Sequence, residues 1–321
     1  MKVKAPAATG KAFGVSADQI SMLAAACFTV IAVLLGVHTA YRTVDVDEVV
    51  FHRTIVAMRA GDGYYPAMRD ALTAKEGVGP SQIRSVRPPT LYLFLAQFPP
   101  GSWRYVVGPV YLATLLLAWR LARTLHPFGG PIAVVLTAMW LLGAAPFLFL
   151  HTELWGVPLV LGGALLLRNE RWAAAAVALG AAALLRELYV VPLLIGLVVA
   201  PRRRAFVWAL VAVALLGLLH AVLASGILSP GGTEPALGLI GHGSTYVLRA
   251  VSPSDRPLGW ILGVAGTVLG IVGLRHRWAA DPGARLLLAS TAVLLPLTLL
   301  VGRSYWGLAF GPALVCFVPA G

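Results

Sequence analysis

Two cysteines in 321 residues leave nothing for a disulfide framework or a cysteine-type metal site. Both of them, Cys27 and Cys316, fall inside apolar runs. Charge is scarce as well. Asp, Glu, Lys and Arg make up 12% of the chain, against about 25% in an ordinary soluble domain. Acids are the rarer sign, 13 against 25 Lys plus Arg. The short alternating segments of a membrane barrel are missing. So is a phosphate-binding G-x-x-x-x-G-K-[ST] loop, which excludes an ATP-driven pump. No G-x-S-x-G and no H-E-x-x-H occurs either, so the common hydrolase and zinc-protease signatures are absent. There is no internal repeat and no low-complexity tract beyond a bias toward alanine and leucine.

Hydrophobic residues fill 59% of the chain. The apolar runs predict spans at Ile20–Tyr41, Arg104–Thr124, Pro131–Leu150, Thr152–Arg168, Trp172–Leu188, Val190–Ala200, Ala205–Ala224, Pro257–Leu274, Arg285–Val301 and Ser304–Val318. Most are long enough to cross a hydrocarbon core of roughly 30 Å. The expectation is an all-α polytopic membrane protein with one integral domain over residues 1–321. Val190–Ala200 is short for a crossing. Pro89–Phe98 is apolar, bracketed by prolines and too short to cross, and is read as surface-lying or re-entrant. The first span reads as an uncleaved anchor, because Lys2, Lys4 and Lys11 precede it and no A-x-A site follows.

The basic residues sit in short clusters between spans, as topology signals do, so the net charge of +12 is no nucleic-acid footprint. With Pro89–Phe98 not spanning, one side receives 13 Lys/Arg and three acids, Asp18, Glu170 and Asp281. The other receives 12 Lys/Arg and ten acids. The positive-inside rule makes the first side cytoplasmic. It does not require ten of thirteen acids outside, so the chemistry is expected there, on a multi-pass protein of the cell membrane. Two outer segments are long, residues 42–103 and 225–256. In the first, Glu48–Ala60 is amphipathic and Gly61-Asp62-Gly63 ends it by turn chemistry. A second short helix is expected over Ala67–Lys75. Helices of this kind lie in the interface plane.

The outer face carries the chemistry-bearing side chains. Asp45 and Asp47 follow directly on the first span, where an ionisable group costs free energy unless hydrated, paired or used. The plain reading is an N-cap for Glu48–Ala60, which accounts for one aspartate and leaves the other. In Arg84-Ser85-Val86-Arg87-Pro88-Pro89-Thr90 two arginines precede Pro-Pro. They either receive a phosphate bidentately or anchor a charged loop. Arg186-Glu187 ends a span on the outer side. It is either a snorkelling ion pair or a pair facing a cavity. His151-Thr152-Glu153 lies in one tight outer hairpin and Arg303-Ser304-Tyr305-Trp306 in another. His242 and Arg249 decorate the second loop. Singly each has a structural reading. Together they suit an anionic lipid-linked substrate and acid–base chemistry.

The first outer loop resembles that of the GT-C superfamily of integral-membrane glycosyltransferases, closest to its mannosyltransferase-like members. Those show an Asp at the end of the first span, an amphipathic helix, a Gly and a Tyr-containing turn. An aromatic or basic residue follows before Pro-Pro and an apolar helix. Here the elements read Asp47, Glu48–Ala60, Gly61, Tyr65-Pro66 and Arg87-Pro88-Pro89-Thr90-Leu91-Tyr92. The likeness covers Tyr41–Arg123 in detail. Arg87 stands where an aromatic is usual, and the chain is short for the group.

The resemblance implies a GT-C-like bundle of about ten transmembrane helices with amphipathic interfacial helices in the outer first loop. It implies inverting transfer of a sugar from a polyprenyl-phosphate donor to a glycan or glycolipid acceptor outside the cytoplasm. Asp47 would be the base, with Asp45 the fallback. Arg87, Arg84, Arg186 and Arg303 would meet the phosphate, and Glu187, His151, Glu153 and Tyr65 would complete substrate binding. Membrane lipids are expected partners and nucleic acid is not. No organic cofactor is implied; paired carboxylates could take a divalent cation, and nothing requires one. The alternatives are a transporter or flippase of a lipid-linked intermediate, or a non-catalytic membrane subunit. Mid-span regions nearly free of charge count against transport.

Overall fold

Glycine and proline set the first boundaries of the chain. The computed structural model describes residues 46–76, 80, 86–124, 129–148, 150–229 and 257–301. Helix α1 (Val46–Arg59) stops at Gly61, whose φ of +111° suits glycine. The Gly61 N–H donates to Met58 O and the Asp62 N–H to Ala57 O, both at 3.1 Å. Those are the two bonds of a Schellman stop. Helix α2 (Tyr64–Glu76) starts three residues before the short helix expected over Ala67–Lys75. Tyr65-Pro66, expected as a turn, forms its first turn, where a proline lacks no needed N–H.

Pro88-Pro89 leads into α3 (Thr90–Leu95), about 9 Å long at the α-helical rise. It is far too short to cross a bilayer. A 3₁₀ turn (Pro100–Ser102) joins it to α4 (Trp103–Arg123). Trp103 fastens that joint: its indole N–H is shared by Leu95 O at 3.1 Å and Phe98 O at 2.9 Å.

The remaining helices are α5 (Gly129–Leu148), α6 (Thr152–Arg168), α7 (Trp172–Leu185), α8 (Val190–Val199), α9 (Arg204–Ser225), α10 (Pro257–Arg277) and α11 (Pro282–Val301). No strand occurs among the described residues. Two helical stretches there, Pro100–Arg123 and Arg204–Ser225, are long and apolar enough to cross a membrane. The span expected at Trp172–Leu188 ends instead at Leu185, and a 3₁₀ turn (Glu187–Tyr189) separates it from α8. The expected spans Ile20–Tyr41 and Ser304–Val318 lie outside the described residues, as do Cys27 and Cys316.

Among the described residues two cores hold the bundle. One packs Leu121, Leu161, Leu179, Tyr189, Phe206 and Leu287 between α4, α6, α7, α8, α9 and α11. Small residues let these helices approach closely: a Cβ on Gly163 of α6 would lie 2.7 Å from Leu179 of α7. The second core packs Ile55, Met68, Tyr92, Trp103, Tyr111 and Leu154. It seats α1, α2 and α3 on the starts of α4 and α6.

The other end of the bundle is tied by polar contacts. Arg168 at the end of α6 donates to Thr124 Oγ1 and lies 3.5 Å from Asp281 Oδ2. Asp281 Oδ1 caps α11 through the N–H groups of Gly283 at 2.8 Å and Ala284 at 3.2 Å. Helix α9 packs on α7 and α8 along one side and is otherwise exposed: only Phe206 and Ala224 of it are buried.

Candidate functional site

The α6 start and the α7 end meet beneath α1–α3, and each brings charge. Helix α7 cannot continue past Leu185 because Arg186 is extended, with φ −153° and ψ 129°. Its N–H still reaches Ala182 O at 3.1 Å, so the helix ends with that bond made. The extended backbone turns the Arg186 side chain inward, where it is 2% exposed. Its Nε lies 2.8 Å from Glu153 Oε1 and its Nη1 2.8 Å from Glu187 Oε1. Snorkelling is therefore not what this arginine does. Glu153 is buried in the first turn of α6, where a negative charge meets the helix N-terminus favourably. Glu187 is on the opposite footing, with 57% of its side chain exposed.

Several contacts lock this pair. Tyr189 O–H donates to Glu153 O. The Tyr189 ring needs Gly156: a Cβ there would sit 2.0 Å from Tyr189 Cε2. His151 Nδ1 stands 3.8 Å from Glu153 Oε2, with both side chains buried. Its ring meets Phe51 of α1 edge-on at 5.4 Å. Glu48, buried in α1, accepts the Leu150 N–H on Oε1 at 2.9 Å. Helix α1 is thus bolted to the α5–α6 hairpin by a carboxylate.

Tyr92 of α3 lies at the centre of the arrangement. It is fully buried, and its hydroxyl has no hydrogen-bond partner among the described residues. Burial raises its phenol well above the ordinary tyrosine range; Glu153 and Glu48 add to that, while Arg87 and Arg186 oppose it. One buried hydroxyl therefore feels four charges drawn from four separate segments. Tyr64 stacks on Tyr92 at 5.6 Å and donates to Arg87 O. Burial raises the Tyr64 phenol too.

Beside this cluster lies a cavity of about 1080 Å³ between α2, α3, α7 and α9. Leucine, valine, alanine and proline form most of its wall, and Glu187, Thr90, Tyr64, Tyr65 and His220 are its polar part. His220 of α9 joins the helices around it. Its Nδ1 is 3.0 Å from Tyr65 Oη and its Nε2 is 3.1 Å from Val86 O. A neutral ring protonated on Nε2 satisfies both partners. Thr90 Oγ1 donates to Leu184 O at 2.9 Å and fixes α3 to the end of α7.

Of the sequence-predicted site residues, Arg186, Glu187, Glu153 and His151 form one contiguous cluster. Arg87 acts on the same tyrosines, and Tyr65 lines the cavity. Asp47 is the second residue of α1 as described, so it lies inside that helix and is not the cap ahead of it; nothing is described of its side chain. Asp45, Arg84 and Arg303 lie outside the described residues, as do His242 and Arg249. His220, Tyr92 and Glu48 were missed as site residues. His220 had a signal, a lone imidazole within an apolar run. No group of three or more His, Cys, Asp or Glu side chains is clustered for a metal ion among the described residues. Comparison with protein-family models, curated proteins and solved structures finds no match to the chain.

Proposed function

We propose that the chain is a multi-pass membrane glycosyltransferase that moves a sugar from a polyprenyl-phosphate donor to an extracytoplasmic glycan or glycolipid hydroxyl. The observation that carries this reading is the apolar cavity of about 1080 Å³ meeting the Glu187–Arg186–Glu153 chain at its polar edge. An amphipathic donor needs both, a long dry wall for its chain and a cation for its phosphate.

Depth supports the same reading. Helix α7 has 14 residues and is about 21 Å long, so Arg186 would sit short of the far boundary of a core of roughly 30 Å. His220, sixteen residues into α9 from Arg204, comes out about 24 Å up by the same rise. Both groups then lie in the outer half of the bilayer, roofed by α1–α3. The exposed apolar face of α9, with Val207, Trp208, Val211, Leu215 and Leu218, suits lipid far better than water. The charge division read from the sequence assigns the α1–α3 side to the exterior.

In this mechanism Asp47 removes the proton of the acceptor hydroxyl. The acceptor oxygen then attacks the anomeric carbon from the face opposite the phosphate. The bond from that carbon to the phosphate oxygen breaks, and polyprenyl phosphate leaves. Charge grows on the leaving phosphate, and a preorganised cation there lowers the barrier most. Arg186 is held on Nε by buried Glu153, while its Nη1 contacts exposed Glu187. An entering phosphate would exchange with Glu187 and leave the Glu153 contact in place. Arg87 and the unpartnered Tyr92 hydroxyl stand within electrostatic reach of the same region.

The test is turnover. Purified full-length chain in proteoliposomes should release polyprenyl phosphate from a polyprenyl-phospho-sugar when offered membrane glycolipid acceptors. Movement of intact donor between leaflets with no sugar transfer would instead establish the flippase reading. Donor binding with neither activity would establish a non-catalytic subunit.

A further inference from the structure

Far from the charge cluster, α7 and α9 run side by side, and each begins at an arginine-bearing turn. Arg171 precedes Trp172 at the start of α7, and Arg202 and Arg204 open α9, one turn before Trp208. These five side chains and Glu170 line a notch of about 690 Å³. The three arginines are exposed, and none forms an ion pair among the described residues. Glu170 is the one acid in the wall, so the hollow has an excess of cations. Topology alone asks for basic residues at this end. It does not ask two separate turns to place three arginines and two indoles around one hollow. Arg203 makes the contrast plain, since it sits between Arg202 and Arg204 and is not part of the wall. Leading away from the notch, Val177 of α7 and Val211 and Leu215 of α9 are exposed and apolar.

We propose that this notch is a binding site for an anionic phospholipid. The phosphate sits among Arg171, Arg202 and Arg204, where guanidinium groups can bond it bidentately. Trp172 and Trp208 take the interfacial level, which indoles favour. The acyl chains follow the exposed apolar residues of α7 and α9. Basic pockets between helices on a cytoplasmic face hold lipid headgroups in this way. The proposal rests on the membrane reading above and not on glycosyl transfer.

The test uses the full chain reconstituted in mixed phosphatidylglycerol and phosphatidylcholine nanodiscs, with retained lipid counted by native mass spectrometry. Wild type should retain phosphatidylglycerol in excess of its bulk ratio, each arginine contributing about fivefold. Arg171→Gln/Arg202→Gln/Arg204→Gln should bring retention at least about tenfold closer to the bulk ratio, while Arg203→Gln should leave it unchanged. These side chains are exposed and unpaired, so the variants should fold. Quenching of tryptophan fluorescence by a brominated phosphatidylglycerol is the second readout, and it should weaken in Trp172→Phe/Trp208→Phe. Equal retention by the triple variant and wild type would overturn the proposal. So would a loss in Arg203→Gln as large as in Arg202→Gln alone, because net charge would then be the cause. Stabilisation by inorganic phosphate matching that by lipid would make this a phosphate site. Failure of the chain to enter nanodiscs would remove the membrane reading together with this one, whereas absent transferase activity with intact lipid selection would touch only the first.

Discussion

Arg186 Nε lies 2.8 Å from Glu153 Oε1, and both side chains are sealed from solvent. Removing one partner of a buried pair strands the other, at a cost of about 3–5 kcal/mol. Glu153→Gln and Arg186→Gln should each lower the unfolding midpoint strongly. The double variant should be markedly more stable than the sum of the single losses implies, because no charge is stranded. Sugar transfer should stay lost in the double variant, because the phosphate has lost its cation. Denaturant unfolding in detergent, run beside the transfer assay, separates the two roles. Normal transfer in a stable double variant would make Arg186 purely structural.

Gly217 tests the cavity without disturbing its walls. It lines the cavity, and a Cβ built there meets nothing within 4 Å. Gly217→Ala should stabilise α9 by about 0.5–1 kcal/mol through helix propensity alone. Gly217→Trp should fold and fill the space that the lipid chain needs. KM for long-chain donors should then rise about tenfold, the scale of 1.4 kcal/mol. Donors with a short chain should be affected far less. Equal kinetics for both donor lengths in Gly217→Trp would place the lipid chain elsewhere.

Local chemistry made most helix boundaries legible in the sequence. Gly61 ends α1 where a left-handed residue was required, and Thr152–Arg168 is helical over the span read from its apolar run. Pro89–Phe98 holds only a six-residue helix. Partners across the fold were not legible. Arg186 stood beside Glu187 in the chain, so the nearer acid looked like its whole partnership. Its bond to Glu153 spans 33 positions and depends on how closely α6 and α7 pack, which Gly163 and Gly156 decide. Reading Asp47 as a cap failed for a related reason. Sequence places an acid near a helix start, but only backbone geometry says whether it precedes the helix or lies inside it.

The proposed sidedness rests on the charge division and can be read in intact cells. Asp62 and Arg203 are both exposed and lie at opposite ends of the proposed topology. In a background with Cys27→Ser and Cys316→Ser, Asp62→Cys should react with a membrane-impermeant thiol reagent. Arg203→Cys should react only after permeabilisation. The reverse pattern would invert the topology and put the charge cluster on the cytoplasmic side, where the proposed donor chemistry would no longer apply.

Asp47 separates a helix-stabilising acid from a general base. It is the second described residue of α1. Asp47→Asn keeps the size and polarity of the side chain, and the thermal midpoint should stay near wild type. A general base must be ionised, and an amide cannot replace it. Transfer should therefore fall by about a hundredfold or more, the usual scale for a lost base, with little change in donor KM. Asp45→Asn should be milder, because the spacing to Gly61 and Tyr65 selects Asp47. Should Asp45→Asn abolish transfer while Asp47→Asn keeps it, the base is the earlier aspartate. If both variants transfer normally, the loop supplies no base. Buried Glu48, directly after Asp47 in the same acidic run and bonded to the Leu150 N–H, would then stand as what it is in the fold, a structural carboxylate, and catalysis by this stretch would be excluded.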